Sequence, residues 1–430
     1  MKRTVALVAA LLLLVPATAA ADGAPALPAK KLDLASYLAD VVAGNWDLAA
    51  ARTGIAVADA QIGIAKTFPD PVLTGGLQQV DVTGQPNPTG TMLALSLPVQ
   101  IGGQRGSRID VATTGKQAAE ADANDAQRTL RATAKNAYVD ALHARLVLDR
   151  KKRTQASVER IVAVNEVRLQ AGDVAQTAFI QSRIEAAQFQ AQVLAADGDV
   201  RARDLALVVL LGKNAPSPPP PLELSGDLAA SAQKSFMADA LVADALAKRP
   251  DLIAAKRRVD QAKNAISLAR SNRVPDVTFS AFWQHNFPLA GATPLPSSDW
   301  LGATLSIPIP FSLAYRGALD EAIATQVQTD QTTKSLALRI ETEVRQALVA
   351  YDAAAARVKV YVAGGVLSDA DALLEKSFYN YQRGGSNFVE VLVAQRTVND
   401  VYLAYYDAIA DAAHALVALE QAAASDDLPF

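Results

Sequence analysis

A chain of 430 residues with a formal net charge of only −3, and no block of Lys and Arg that dominates, gives a nucleic-acid partner no electrostatic support. Cysteine is absent, which excludes disulfides, thiolate metal sites, cysteine nucleophiles and N-terminal lipidation on cysteine. Half the residues are hydrophobic but only 6% are aromatic, and the three histidines (His143, His285, His414) lie far apart; this composition suits closely packed helices, and no cofactor or dedicated metal cage is expected.

Lys2 and Arg3 precede an apolar core from Val5 to Val15, and Pro16 and small residues then lead to Ala19-Ala20-Ala21. This reads as a secretory signal peptide, residues 1–21, whose core is too short to span a bilayer. Its removal moves the formal net charge from −3 to −5. No other stretch has the uninterrupted apolar length of a spanning helix, so any membrane crossing has to use strands.

A short helix around Leu34 to Val42 comes next, and a second runs from Asn45-Trp46-Asp47-Leu48 to about Lys66. A copy of the second begins at Arg249-Pro250-Asp251-Leu252, where Pro250 suits a first helical turn and Asp251 the positive end of the helix dipole. Ala50, Ala58, Ile62 and Ala65 recur as Ala254, Ala262, Ile266 and Ala269, a spacing that predicts one buried stripe per helix. Pro69-Asp70 and Pro275-Asp276 end these helices, and two strands follow each, within about 71–101 and 276–310. Val277, Phe279, Ala281 and Trp283 alternate with Thr278, Ser280, Phe282 and Gln284; Leu301, Ala303 and Leu305 alternate with Gly302, Thr304 and Ser306. Leu93, Leu95 and Leu97 alternate in the first half, whereas Val72 to Val82 alternates poorly. Each strand has about the length that a tilted strand needs to cross a bilayer. Four strands cannot close a barrel alone, so either the hairpins are soluble or several chains pool their strands.

Gly106 to Ala171, and the run from Arg316 to Gln382, read as helices on the order of 100 Å long. Turns at Gly172-Asp173 and Gly384-Gly385 make one antiparallel hairpin per half, with return helices to about Leu211 and Ala424. Between the halves, 213–232 holds Pro216 and Pro218 to Pro221 and reads as a stiff linker. Ser96-Leu97-Pro98 matches Ser306-Ile307-Pro308, and Leu169-Gln170-Ala171-Gly172 matches Tyr381-Gln382-Arg383-Gly384. Ala134 to Tyr138 aligns with Val344 to Leu348 at the same separation of near 210 residues. The chain thus reads as a tandem duplication, repeats 22–212 and 233–424 with a tail at 425–430.

Signal peptide, duplicated halves, paired strands between long helices, Arg-Pro-Asp-Leu at 249–252 and glycine turns at the tips together resemble the TolC family, the outer membrane channels of tripartite efflux pumps and type I secretion. The segment Ile101-Gly102-Gly103-Gln104-Arg105-Gly106 is similar to one in its heavy-metal-efflux branch. The resemblance implies a mainly α fold with a small β part. Three chains would pool four strands each into a 12-stranded transmembrane β-barrel, and their helical hairpins would continue it as a periplasmic α-barrel. It implies an outer membrane homotrimer, in contact with lipid, whose partners are a periplasmic adaptor (membrane fusion) protein and an inner-membrane pump of the RND type. Val277, Phe279, Leu301 and Leu305 would face lipid, Thr278, Ser280, Thr304 and Ser306 water, with Trp283 and Trp300 in an interfacial girdle. The adaptor would dock at the tips, Gly172, Asp173, Gly384 and Gly385. Tyr381 and Glu390 fall on the family's constriction positions, while Ala178, Ser386 and Val393 depart from its ionic lock. A type I secretion channel and a soluble periplasmic coiled-coil scaffold are the alternatives. An enzyme is not expected, since no His-Glu-x-x-His, Gly-x-Ser-x-Gly or phosphate-loop motif is present.

Overall fold

The computed structural model describes residues 30–78, 90–217, 222–288, 296–309 and 314–425. The signal peptide, most of both strand-connecting loops, Pro218 to Pro221 and the tail beyond Ser425 lie outside the described residues. In chain order the elements are β1 (Lys30–Asp33), α1 (Leu34–Gly44), α2 (Trp46–Lys66), β2 (Val72–Gln78), β3 (Gly90–Val99), α3 (Gln104–Gln170), α4 (Gln176–Leu210) and β4 (Leu222–Ser225). They continue with α5 (Ala238–Lys248), α6 (Pro250–Ser271), β5 (Val277–Asn286), β6 (Ser298–Ser306), α7 (Ala314–Ala363), α8 (Val366–Gln382) and α9 (Phe388–Ala423). Among the described residues no helix is long and apolar enough to cross a membrane.

The four longer strands form one antiparallel sheet in the order β2-β3-β5-β6. Because side chains alternate, register decides which face each residue joins. Leu73 lies opposite Leu95, Leu95 opposite Ala281, and Ala281 opposite Ala303. One face therefore carries Leu73, Gly75, Leu77, Leu93, Leu95, Leu97, Phe279, Ala281, Trp283, Leu301, Ala303 and Leu305, and turns polar only in its row next to the connecting loops, at Thr91, His285 and Asp299. Its large residues are exposed, Leu301 at 85%. The other face carries Thr74, Ser96, Thr278, Ser280, Gln284, Thr304 and Ser306, with Ser96 and Ser280 hydroxyls 2.8 Å apart. The weakly alternating stretch is a strand over Val72–Gln78, because its neighbour β3 supplies the pattern that Gly75 and Gly76 dilute; its remainder, 79–82, lies outside the described residues. Two expectations change. Val277 is buried at the foot of β5, and Trp300 lies opposite Gln284, in register with the polar face.

An apolar sheet face this exposed is stable only against hydrocarbon, where an arginine costs roughly 2–4 kcal/mol at the midplane. Leu301→Arg is thus expected to reduce assembled protein in the membrane fraction severely, while Thr304→Arg on the opposite face leaves it near normal. Equal loss in both variants would contradict this assignment of faces.

Below the sheet, α2 packs on α3, α3 on α6 and α6 on α7; further down, α4 packs on α3, α3 on α9 and α9 on α7 and α8. The predicted stripe is only partly buried: Ala58, Ala65, Ala254, Ala262 and Ala269 are, Ala50 is exposed, and Ile62 and Ile266 are intermediate. The helix predicted from Arg316 to Gln382 is not continuous. It breaks at Gly364-Gly365, where Gly365 has φ +68° and the chain restarts as α8. The corresponding part of α3 has Lys152 and Arg153 and runs unbroken through 67 residues. Those two end a run of four cations; Arg150 is buried over the Tyr402 ring (4.1 Å), and Arg153 pairs with Asp149 at 2.8 Å.

At mid-height the chain between the halves does more than link. Its β4 pairs in parallel with β1, and a 3₁₀ turn at Leu228–Gln233 packs on α7 and α9. Two buried tyrosines hold this layer. The Tyr138 hydroxyl lies 2.8 Å from the Leu32 carbonyl and 2.7 Å from that of Ser225. The Tyr351 hydroxyl lies 2.9 Å from the Ser231 carbonyl and 3.2 Å from that of Lys234. Tyr138 and Tyr351 do the same work in the two halves. The equivalence there is therefore Ala137-Tyr138 with Ala350-Tyr351, three residues beyond the sequence alignment, which set Tyr138 against Leu348.

Candidate functional site: the hairpin tips

Both hairpin tips are built by one backbone motif. After α3, Gly172 has φ +82°; its N–H donates to the Leu169 carbonyl (3.1 Å) and that of Asp173 to the Arg168 carbonyl (2.8 Å). After α8, Gly384 has φ +79°; its N–H donates to the Tyr381 carbonyl (3.1 Å) and that of Gly385 to the Asn380 carbonyl (2.9 Å). These are paired Schellman caps, which satisfy the last carbonyls of a helix and reverse the chain. A Cβ on Gly172 or Gly384 would meet nothing within 4 Å. Glycine is required there by backbone conformation, and the surface above both tips is open.

Tyr381 is not an aperture side chain within the protomer. It is 1% exposed and packs with Ile161, Phe388, Val391 and Leu392. Its hydroxyl donates to Asn165 Oδ1, and Arg168 lies over its ring at 4.9 Å while donating to its carbonyl at 3.0 Å. Burial raises its pKa and the nearby Arg168 charge opposes that; the net shift is upward, so the phenol stays protonated at neutral pH. Glu390 is exposed on the third residue of α9. Its N–H donates to the Asn387 side chain (2.9 Å), whose amide donates back to Glu390 Oε1 (3.1 Å), a reciprocal cap of the helix start. The structure thus places Tyr381 and Glu390 on one tip but does not bring their side chains together.

Sequence reasoning missed four participants. Asn165 and Arg168 face Tyr381 from the other half of the chain, so no local pattern marks them. Glu185 on α4 and Arg396 on α9 form an ion pair between the two return helices. Near the tips, the acidic and basic residues absent at Ala178 and Ser386 are thus present at other positions.

The outer membrane efflux protein family matches the chain over residues 38–213 and 241–425, and the chain belongs to that family. The cobalt-zinc-cadmium resistance protein CzcC of Cupriavidus metallidurans is 24% identical over 388 residues, which cover 89% of this chain and 87% of CzcC. A membrane protein from Pseudomonas aeruginosa has the same fold at a TM-score of 0.73 and 22% identity, covering 91% of this chain and 93% of its own. The open-state MtrE outer membrane channel of Neisseria gonorrhoeae superimposes with a TM-score of 0.69 at 20% identity, covering 91% and 88%. The protein is an outer membrane efflux channel that extends into the periplasm, mainly helical, with a family role of conduit rather than catalyst.

Proposed function

We propose that three copies assemble head to tail into one conduit. The observation that carries this reading is that every layer leaves its two ends open in the same sense. β2 and β6 are the sheet edges; α2 and α4 end the helix rows on the first-half side, and α7 with α8 ends them on the other. Trp46, Val57 and Ile64 on α2, and Ile180, Ile184, Leu194, Leu205 and Val209 on α4, are exposed, as are Leu338, Val349 and Val360 on α7. Two unlike edges that must both be covered favour a heterologous contact repeated until it closes, and a sheet in lipid leaves no edge unpaired. With four strands per chain, three copies give a 12-stranded barrel over a helical tunnel. Each copy consists of the repeats 22–212 and 233–424.

The conduit is passive, and the energy comes from an inner-membrane pump of the RND type through a periplasmic adaptor seated on the tips. The relation to CzcC supports divalent metal cations as cargo. Deleting the gene should sensitise cells to cobalt, zinc or cadmium, and re-expression should restore resistance; sensitisation to organic solutes alone would reject that cargo. The open surface above Gly172, Asp173, Gly384 and Gly385 supports adaptor docking there. Gly384→Leu forces a side chain into the left-handed region at about 1–2 kcal/mol, too little to unfold the protein, yet it fills the docking surface. Export should fall at least tenfold with assembled protein unchanged; normal export would reject docking at this tip.

Glu390 and Tyr381 belong to the constriction in different ways: Tyr381 braces α8 against α3, and Glu390 from each copy presents a carboxylate to the lumen. Glu390→Gln keeps the cap's geometry and removes the charge, so cation preference in single-channel recordings should fall while stability stays within about 0.5 kcal/mol. Unchanged selectivity would leave Glu390 as a cap alone.

A further inference from the structure

The segment Ile101-Gly102-Gly103-Gln104-Arg105-Gly106 lies at the foot of the sheet, where β3 passes into α3. Gly103 has φ +77°, and a Cβ on Gly102 would come within 2.7 Å of the Ser271 carbonyl oxygen, so the chain turns tightly against the end of α6. The Gln104 side chain, which is buried, accepts from the Gly102 N–H (2.9 Å) and donates to the Val274 carbonyl (2.6 Å). This staple fixes the first turn of α3, and Arg105 with it. The Arg105 guanidinium lies over the Phe68 ring at 4.7 Å, and its Nε donates to the Lys66 carbonyl at 2.7 Å.

The second half repeats the pair with the partners exchanged between helices. Arg273, just after α6, lies over the ring of Tyr315 in the first turn of α7, at 5.3 Å. Deeper in the same helices the cations meet carboxylates: Lys116 pairs with Asp59 (2.7 Å), Lys263 with Asp260 (3.0 Å) and Lys334 with Asp330 (2.8 Å). At the foot, residues 66–70, 100–108, 270–276 and 314–317 hold six cations, Lys66, Arg105, Arg108, Arg270, Arg273 and Arg316, against two carboxylates. None of the six is paired with a carboxylate among the described residues; Arg108 is held by the Thr67 carbonyl and Gln100. One of the two acids, Asp276, takes the Gln104 amide instead, at 3.3 Å. Exposed apolar side chains reach the same level, with Ile101 beyond β3 and Ile307 and Ile309 beyond β6.

A bilayer that covers the apolar sheet face puts the headgroups of one leaflet at this foot, on the side from which the helices extend into the periplasm. Aromatic rings sit well in that layer, and a guanidinium is a fork that grips phosphate with two bonds. We propose that this belt, centred on Arg105 and Arg273, binds the phosphates of anionic phospholipid in the periplasmic leaflet. The lipid supplies the negative charge that the chain itself omits here, and it fixes the depth of the sheet in the membrane. The inference depends on neither the cargo nor the number of copies.

The test counts lipids retained by the full chain in neutral detergent, by native mass spectrometry, with phosphatidylglycerol and phosphatidylcholine offered in equal amounts. One cation near an anionic surface strengthens binding about fivefold, so wild type should favour phosphatidylglycerol by about fivefold or more. Arg105→Gln with Arg273→Gln should remove most of that preference, whereas Arg105→Lys with Arg273→Lys, which keep the charge, should retain most of it. Lys359→Gln with Lys376→Gln, at two exposed lysines on α7 and α8 away from the sheet, should leave it unchanged. Sodium phosphate should displace no more phosphatidylglycerol than sodium chloride of equal ionic strength. Equal retention of the two lipids by wild type, or a preference that survives Arg105→Gln with Arg273→Gln, would overturn the proposal. Displacement specific to phosphate would overturn it as well, in favour of a site for the free ion.

Discussion

Lys135→Ala should destabilise the protein by about 3–5 kcal/mol, the largest loss expected from any single polar substitution away from the sheet. Lys135 on α3 and Glu420 on α9 form an ion pair, both side chains under 10% exposed, where the two halves of the chain meet. Removing the lysine leaves a carboxylate in a place that water barely reaches, and that desolvation dominates the effect. The pair itself adds little over a well-packed apolar substitute. Lys135→Met with Glu420→Leu should therefore recover most of the loss. Thermal transitions of the detergent-extracted protein distinguish these cases: a double variant no better than Lys135→Ala would show that the pair is a net stabiliser.

Arg249→Ala should cost about 2–3 kcal/mol, less because its partners are partly solvated. Arg249 grips Asp251 with two bonds, 3.1 Å and 2.6 Å, donates to Glu343 at 2.8 Å, and reaches the Ala422 carbonyl at 3.3 Å. It thus ties the start of α6 to α7 and to the end of α9. Arg249→Lys keeps the charge but not the two-pronged grip, so it should recover only part. Burial alone would raise the Asp251 pKa, but the Arg249 hydrogen bonds and charge outweigh it and hold the value below 3.8. A depressed carboxylate stabilises fully above its unfolded pKa and loses this as pH falls through the folded one. The difference between wild type and Arg249→Ala should accordingly be full above about pH 5 and shrink towards pH 3. A constant difference across that range would remove Asp251 from the explanation.

How far the sequence speaks follows from which interactions are local. Period-two and helical spacings reveal the strands, the long helices and the glycine turns, because each is decided within a few residues. Arg-Pro-Asp-Leu shows a helix start, yet not that Arg249 reaches Glu343, 94 positions away. The break at Gly364-Gly365 hides in an otherwise helical run, since two glycines weaken a helix without dictating where it stops. Tyr381 matched a constriction position by pattern, but its burial depends on Asn165 and Arg168 from the other half. Trp300 looked like a girdle residue until pairing with β5 fixed its face. The sheet's two-sidedness was legible only strand by strand; the register across four strands made it a continuous surface.

Closure of the sheet between copies is the claim on which the channel reading turns. Single cysteines on β2 at Thr74 or Gly76, paired with single cysteines on β6 at Gly302 or Thr304, place thiols along the two open edges of an otherwise cysteine-free chain. Oxidation in isolated outer membranes should give, for one of these registers, covalent trimers on a denaturing gel, with dimers as the only intermediate. Monomers alone in every combination, or links confined to a single chain, would contradict pooling of strands into a shared barrel.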